Sequence, residues 1–192
     1  MANNAPNLNT NALQRLLLAV LACLAITFSA AAQVFHPADL KALFIYNFVQ
    51  FVDWPTNTFS NSETPMVIGV LGQERITKAL DDLARSETGR RRKLSIQRYR
   101  KPSDIQNCHI LFIDQSQSQS LSDILGKVRG KPVLTVSDME GFARSETPER
   151  PSGMIQLITE EKKIRLRINV SAAKAANLSI SSKLLKLAEI VE

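Results

Sequence analysis

Short apolar segments alternate with amphipathic segments between residues 66 and 136, and this alternation constrains the fold more than any other feature. The apolar segments have the length and composition of buried β-strands, whereas the intervening segments place their apolar residues at helical spacing. Strands separated in this way are typical of a mostly parallel sheet covered by helices on both faces. The sequence therefore predicts a three-layer α/β domain. The predicted strands are 66–71, 94–99, 109–113 and 132–136, and the predicted helices are 74–84 and 121–128.

After Gly141 the pattern changes to that of an antiparallel hairpin. Residues 153–159 and 163–170 each resemble a strand, and a polar turn separates them. In the second strand, apolar side chains alternate with Arg165, Arg167 and Asn169, so we expect a half-solvated antiparallel edge of the sheet. A short helix at 171–176 and a final helix should follow. Ser181 caps that final helix, which is expected to bury Leu184, Leu185, Leu187, Ala188 and Val191.

Residues 37–52 are predicted to form the first helix, and this helix is apolar nearly all round. Pro37 suits a first helical turn, and Trp54-Pro55 stops the helix. Ile45, Tyr46 and Val49 lie off the main apolar stripe. A helix of this kind is buried on more than one side. We therefore predict that these three side chains line a partner or dimer interface, with burial in the domain's own core as the alternative.

The N-terminus has the organisation of a signal peptide. Arg15 precedes an apolar run that ends near Phe28, and small residues follow up to Ala32. This order of charge, apolar core and small residues is typical of an exported chain. The run is short for a membrane span, which needs about 20 apolar residues. We predict a signal peptide at 1–32, cleaved near Ala32, and a single exported domain at 33–192 with no transmembrane segment.

Cysteine and histidine offer little for catalysis or metal binding. Cleavage of the signal peptide leaves Cys108 as the one cysteine of the domain, either a buried side chain or a thiol free to pair between chains. Cys108 and His109 are adjacent on a strand and point to opposite faces, so they are badly placed as nucleophile and base. The few cysteines and histidines form no metal cluster. The sequence predicts no enzyme, no cofactor and no metal.

Three residues follow predicted strands in the position where α/β sheets place their ligands. These are Gly72, Asp114 and Asp138. A backbone close to an anion would suit Gly72, and the two carboxylates could bind a ligand. The alternative is structural: aspartate favours turns and helix caps, and glycine favours tight turns. We keep all three as candidate ligand-binding residues of a small-molecule binding module.

The chain carries a formal net charge of +6 and a basic run, Arg90-Arg91-Arg92-Lys93. Such a run can bind nucleic acid, but export argues against that partner. We interpret the run as a solvated loop, with anionic membrane surfaces or an acidic protein as alternatives.

Three stretches of the chain resemble the YfiR family. Residues 41–55, KALFIYNFVQFVDWP, are similar to the opening K-A-x-x-x-Y-N-F-x-x-F-V-x-W-P of that family. Residues 108–113, 133–138 and 141–143 are similar to its middle. Residues 153–155, 168–169, 172–173 and 178–188 are similar to its end. The resemblance runs in order through essentially the whole exported chain, and its first and last motifs are long.

The resemblance implies a periplasmic protein with a Rossmann-like α/β fold. It further implies a non-enzymatic regulator that binds the periplasmic sensor domain of an inner-membrane diguanylate cyclase and represses it. Repression would lower cyclic di-GMP and with it biofilm formation. Members often form homodimers. The family's conserved surface around the final hairpin corresponds here to Glu161, Arg165, Arg167 and Asn169.

This chain departs from the family's disulfide pattern. Cys108 stands where a family disulfide cysteine stands, but no partner cysteine remains in the exported domain. The segment 144–152, where a second pair would be expected, also has none. We therefore expect no intramolecular redox switch, and only an exposed Cys108 could bridge two chains.

Overall fold

A computed structural model describes residues 36–86, 92–144, 151–161 and 163–191, and these belong to one compact unit. The predicted signal peptide and the first half of the basic run, Arg90 and Arg91, lie outside the described residues. The helices are α1 (Pro37–Phe48), α2 (Glu74–Ser86), α3 (Leu121–Val128), α4 (Val170–Ala175) and α5 (Ser182–Leu185). The strands are β1 (Val52–Asp53), β2 (Met66–Leu71), β3 (Leu94–Tyr99), β4 (Ile110–Ile113), β5 (Leu134–Ser137), β6 (Ile155–Glu160), β7 (Lys163–Asn169), β8 (Ser179–Ile180) and β9 (Ala188–Val191).

A seven-stranded sheet of order β3-β2-β4-β5-β6-β7-β9 forms the centre of the described structure. Strands β3, β2, β4, β5 and β6 are mutually parallel, β6 and β7 form the antiparallel hairpin, and β9 is parallel to β7. The predicted fold class is therefore confirmed. The hairpin prediction needs one correction: β7 is not an edge strand, because β9 covers its outer side.

Alternating side chains of the buried strands divide between two cores. Ile68 and Phe112 point towards the face covered by α1, α2, α4 and α5. Leu111 and Ile113 point towards the opposite face, which α3 covers. Because both faces of the sheet are covered, the central strands β2 and β4 are apolar throughout, which is the pattern that the sequence shows.

The first helix begins as predicted and ends earlier. The backbone N–H of Ala38 donates to Nδ1 of His36 at 3.2 Å, and Pro37 occupies the first turn. The helix ends at Phe48 instead of continuing to residue 52. Val52 and Asp53 pair with β8 instead, with Val52 opposite Ile180. This strand pairing with a distant segment overrides the local helical preference.

The predicted final helix is wrong beyond its first turn. Ser181 does cap a helix, because its hydroxyl accepts a hydrogen bond from the backbone N–H of Lys183 at 3.3 Å. That helix ends at Leu185, and the next segment forms β9 along β7. Leu187, predicted to face the core, is 75 % exposed. Tertiary pairing with the open side of β7 decides between two structures that the apolar residues fit almost equally well.

Candidate functional site

The carboxyl ends of β2, β4 and β5 bring the three candidate ligand-binding residues to one edge of the sheet. Gly72 follows β2 with a φ of +111°, a backbone conformation that favours glycine. A Cβ placed there would lie 2.7 Å from Cβ of Asp114. Gly72 is therefore required by a close approach between two neighbouring strand ends.

Asp114 caps the 3₁₀ turn that follows β4. Its Oδ1 accepts a hydrogen bond from the backbone N–H of Ser116 at 3.0 Å. This satisfies one of the orphan N–H groups at the start of the turn, Gln115–Ser120. A tight turn thus accounts for Gly72 and a cap accounts for Asp114, as in the structural alternative considered for each. A ligand-binding role for either residue stays a prediction.

Asp138 forms an ion pair that the sequence analysis missed. Nζ of Lys41 on α1 lies 2.6 Å from Oδ2 of Asp138, and the two side chains are 13 % and 9 % exposed. Ser137 holds the backbone next to Asp138 in place. Its hydroxyl donates to the carbonyl of Ile113 at 2.6 Å and accepts from the N–H of Met139 at 3.1 Å. The one available signal was that Lys41 is the only cation in an apolar helix.

A polar cavity of about 480 Å³ lies beside this ion pair. Oδ1 of Asp138 is buried without a hydrogen-bond partner in the described part of the chain. A buried acceptor without a hydrogen-bond partner lowers the stability of the folded state. The cavity is lined by Lys41, Asp138, Gln115, Glu140, Gln156 and Arg167, among others.

The tip of the β6–β7 hairpin carries two of the predicted contact residues at the surface. Glu161 lies in the turn with a φ of +54°, and it is exposed. Arg165 is 72 % exposed and lies 2.7 Å from Oε2 of Glu160. Exposed ion pairs contribute little to stability, so these charges are available for recognition.

Arg167 lies lower on the same strand and joins the hairpin to β9. Its Nε donates to Oε2 of Glu189 at 3.0 Å, and its Nη1 donates to Oε1 of Gln156 at 3.2 Å. Arg144 also binds Glu189. The hydrogen bond from Arg167 lowers the pKa of Glu189, assisted by the hydrogen bond from Arg144. Arg167 therefore has a structural partner on each side.

Asn169 is not a surface residue, which corrects the sequence prediction. It is 3 % exposed. Its Oδ1 caps α4 by accepting from the N–H of Ala172 at 2.7 Å. Its Nδ2 donates to the carbonyl of Ala143 and to Oγ of Ser152, both at 3.2 Å. A buried amide with these partners stabilises the fold, and the predicted contact role does not fit its position.

The fold also explains why the first helix is apolar nearly all round. Ile45 and Tyr46 are 0 % and 1 % exposed, and Val49 is partly buried against the same core. The prediction that Ile45 and Tyr46 line an interface is therefore corrected: both side chains are buried in the domain's own core. The sequence favoured an interface because its pattern does not show that the sheet, α2 and the C-terminal segment all pack here.

Cys108 and His109 lie at the amino end of β4 and are both used in packing. Cys108 is a free thiol, 6 % exposed, and burial raises its pKa to about 11. Nδ1 of His109 accepts a hydrogen bond from the N–H of Val67 at 2.9 Å, and its ring stacks on Phe59 at 4.7 Å. Burial lowers the pKa of His109. The buried interpretation of Cys108 is confirmed, and a bridge between chains would need exposure that it lacks.

Among the described residues, no group of three or more metal-ligating side chains is present. The described helices include none that is long and apolar enough to cross a membrane.

These features define a class of protein: a three-layer α/β domain whose strand ends carry ion pairs, caps and a polar cavity. The family follows from comparison. The chain belongs to the YfiR/HmsC-like family, whose profile matches residues 38–189. No curated protein matches the chain closely enough to serve as a relative. The family consists of periplasmic regulatory proteins rather than enzymes, and its signalling context is cyclic di-GMP.

Proposed function

We propose that this protein is exported to the periplasm and represses an inner-membrane diguanylate cyclase by binding its periplasmic sensor domain. Repression lowers the output of cyclic di-GMP in the cytoplasm. The observation that carries the proposal is the family match from residue 38 to residue 189, which includes every strand of the central sheet up to Glu189 of β9.

The β6–β7 hairpin is the surface that best suits this binding. Its tip projects charged side chains, Glu161 and Arg165, whose exposure leaves them free to meet a partner of complementary charge. Charges of this kind set association rate and specificity more than raw affinity. Arg167 holds the base of the hairpin through Gln156 and Glu189, so the tip is presented on a braced strand.

Cellular cyclic di-GMP tests the proposal directly. A deletion strain should contain more cyclic di-GMP than its parent. Complementation with the full chain should restore the parental concentration, whereas a chain lacking residues 1–32 should not, because it stays in the cytoplasm. An unchanged concentration after deletion, under several growth conditions, would contradict the repressor function.

A charge reversal at the hairpin tests the binding surface. Arg165→Glu should abolish repression in the complemented strain without changing the thermal midpoint of the purified protein, since Arg165 is exposed. Lys174→Glu is the matched control, because Lys174 is an exposed cation on α4. Equal repression by the two variants would exclude the hairpin tip as the contact.

A second candidate function is a small-molecule binding module. The observation that favours it is the polar cavity beside Asp138, whose Oδ1 is a buried acceptor without a partner. A thermal-shift screen of periplasmic metabolites against the purified protein tests it. A hit should lose its effect in Glu140→Gln, which changes an exposed cavity residue, and keep it in Glu63→Gln, which changes an exposed residue that does not line the cavity. A screen without any stabilising compound would reject this candidate and leave the repressor proposal intact.

A further inference from the structure

A second polar cavity, of about 600 Å³, opens at the amino ends of β4 and β5, on the edge of the sheet opposite to the one that carries Asp138. Three separate parts of the chain line it: His109 precedes β4, Lys131 precedes β5, and Thr58 lies between β1 and β2. No aspartate or glutamate is among the described residues that line this cavity, whereas three carboxylates line the cavity beside Asp138. The two cavities therefore suit ligands of different charge.

Two lysines give the second cavity its positive charge. Lys127 lies in the last turn of α3 and Lys131 in the connection to β5, and both are exposed. Neither forms an ion pair with another described residue. Burial raises the pKa of Cys108 in the cavity wall to about 11, and the charge of Lys131 opposes that rise. The ammonium group of Lys131 therefore acts on the interior of the cavity.

Two hydrogen-bond donors of this cavity have no acceptor in the described part of the chain. Nδ1 of His109 accepts from the backbone N–H of Val67 at 2.9 Å, so the neutral ring carries its proton on Nε2. No described residue accepts a hydrogen bond from that Nε2. Oγ1 of Thr58 is buried and also has no hydrogen-bond partner among the described residues. Buried polar groups normally have a partner, so both groups point to an acceptor from outside the described chain.

We propose that this cavity binds a phosphate group. Lys127 and Lys131 supply the counter-charges, and Nε2 of His109 and the hydroxyl of Thr58 donate hydrogen bonds. A phosphate monoester carries about −1.5 to −2 charges at pH 7 and three strong acceptor oxygens, which matches two ammonium groups and two further donors. The same chemistry is offered by a small soluble phosphate and by a lipid headgroup. The proposal does not rest on the binding of a cyclase, and each can fail without the other.

Inorganic phosphate is the first probe. Added to the purified exported protein at constant ionic strength, it should raise the thermal midpoint by about 3–5 °C at ten times its dissociation constant. Lys127→Gln combined with Lys131→Gln should abolish this rise and leave the midpoint without phosphate nearly unchanged, because both side chains are exposed. Lys174→Gln combined with Lys183→Gln is the matched control, since it removes the same charge from exposed positions on α4 and α5.

Thr58→Val tests the contact apart from the charge. Without phosphate the variant should be at least as stable as the wild type, because it removes a buried hydroxyl that has no partner. With phosphate its midpoint should rise by less than that of the wild type, because one donor is lost. A full rise in Thr58→Val would overturn the assignment of Thr58 as a donor.

Vesicles test the lipid source of the phosphate. If the group belongs to a lipid, the wild type should cosediment with vesicles of phosphatidylglycerol and phosphatidylcholine, and not with phosphatidylcholine alone, whose headgroup has no net charge. The Lys127/Lys131 double variant should then bind about tenfold more weakly than the Lys174/Lys183 control. Phosphate also stabilises proteins by exclusion from their surface, but that effect is the same in both double variants. Equal behaviour of the two double variants with both probes would overturn the proposal.

Discussion

Asp114 and Asp138 occupy the same position in the sequence pattern, directly after neighbouring parallel strands, yet they have different roles. Asp114 is partly exposed and accepts a hydrogen bond from a backbone N–H two residues away. Asp138 is nearly buried and pairs with Lys41, which is 97 positions away in the chain. The comparison teaches that a strand-end carboxylate is defined by what the fold brings to it. Capping is a local property, whereas the ion pair requires the packing of α1 on the sheet.

The largest effect is expected from removing Lys41, the ion-pair partner of Asp138. Lys41→Met leaves a nearly buried carboxylate without its counter-charge, which should lower the free energy of unfolding by about 3–5 kcal/mol. Urea denaturation measures the loss. Lys41→Met combined with Asp138→Leu should recover most of it, because no unpaired charge remains. A loss below about 1 kcal/mol in the single variant would mean that water or another group satisfies Asp138.

An intermediate effect is expected where Gly72 and Asp114 meet. Gly72→Ala should cost about 1–3 kcal/mol, because its φ is +111° and the new Cβ would lie 2.7 Å from Cβ of Asp114. Gly126→Ala is the control, since Gly126 is an exposed position of helix α3 and a Cβ there meets nothing within 4 Å. That substitution should stabilise the protein by about 0.4–1 kcal/mol. Equal effects of the two substitutions on the urea midpoint would refute the close approach.

A smaller effect is expected at Asp114 itself, and it sharpens the comparison. Asp114→Ala removes a cap and should cost about 1 kcal/mol. Asp114→Asn keeps the accepting oxygen and should cost less than about half of that. Asp138→Asn should be much more damaging than Asp114→Asn, because Lys41 then loses its charged partner. Similar urea midpoints for the two asparagine variants would show that charge matters no more at Asp138 than at Asp114.

The smallest effect concerns pH and the other end of β4. Burial lowers the pKa of His109 in the folded protein, whereas a histidine in an unfolded chain titrates near about 6.5. As pH falls below that value the unfolded state takes up the proton more readily, so stability present at neutral pH is lost towards the lower folded pKa. The thermal midpoint should therefore decrease between about pH 7.5 and pH 5.5.

His109→Asn is the variant that isolates this pH dependence. The asparagine oxygen can accept the hydrogen bond from Val67 in place of Nδ1, and it does not titrate. The decrease in thermal midpoint over the same pH range should be smaller in this variant. An identical decrease would assign the pH dependence to another group.

The sheet and its helices could be predicted because their signals are local. Apolar runs such as 66–71 and the helical spacing of 74–84 are visible within a single window of sequence, and both elements form where predicted. The C-terminal segment could not be predicted in the same way. Leu184, Leu187 and Val191 fit a helix by spacing, and only the open side of β7 makes β9 a strand.

The site was predicted less well than the fold, for a physical reason. Gly72, Asp114 and Asp138 do meet at one edge of the sheet, because parallel strands end together. Their partners come from elsewhere: Lys41 from α1, and Glu189 from β9 for Arg167. Alternation along β7 suggested that Asn169 faces water, but an amide that caps one element and ties another is buried with its hydrogen bonds satisfied.

The position of Asn169 has a practical consequence for engineering. One amide group holds both Ala143 and Ser152, and the N–H of Gly153 donates to the carbonyl of Phe142 at 2.7 Å. Residues 142–143 and 152–153, on either side of the intervening connection, are therefore held together by hydrogen bonds. Lengthening a connection whose ends are held together lowers stability only slightly, by about 0.6 kcal/mol of loop-closure free energy for each doubling of its length. The connection between 144 and 151 is accordingly the place to insert an epitope or a fluorescent reporter while the sheet stays intact.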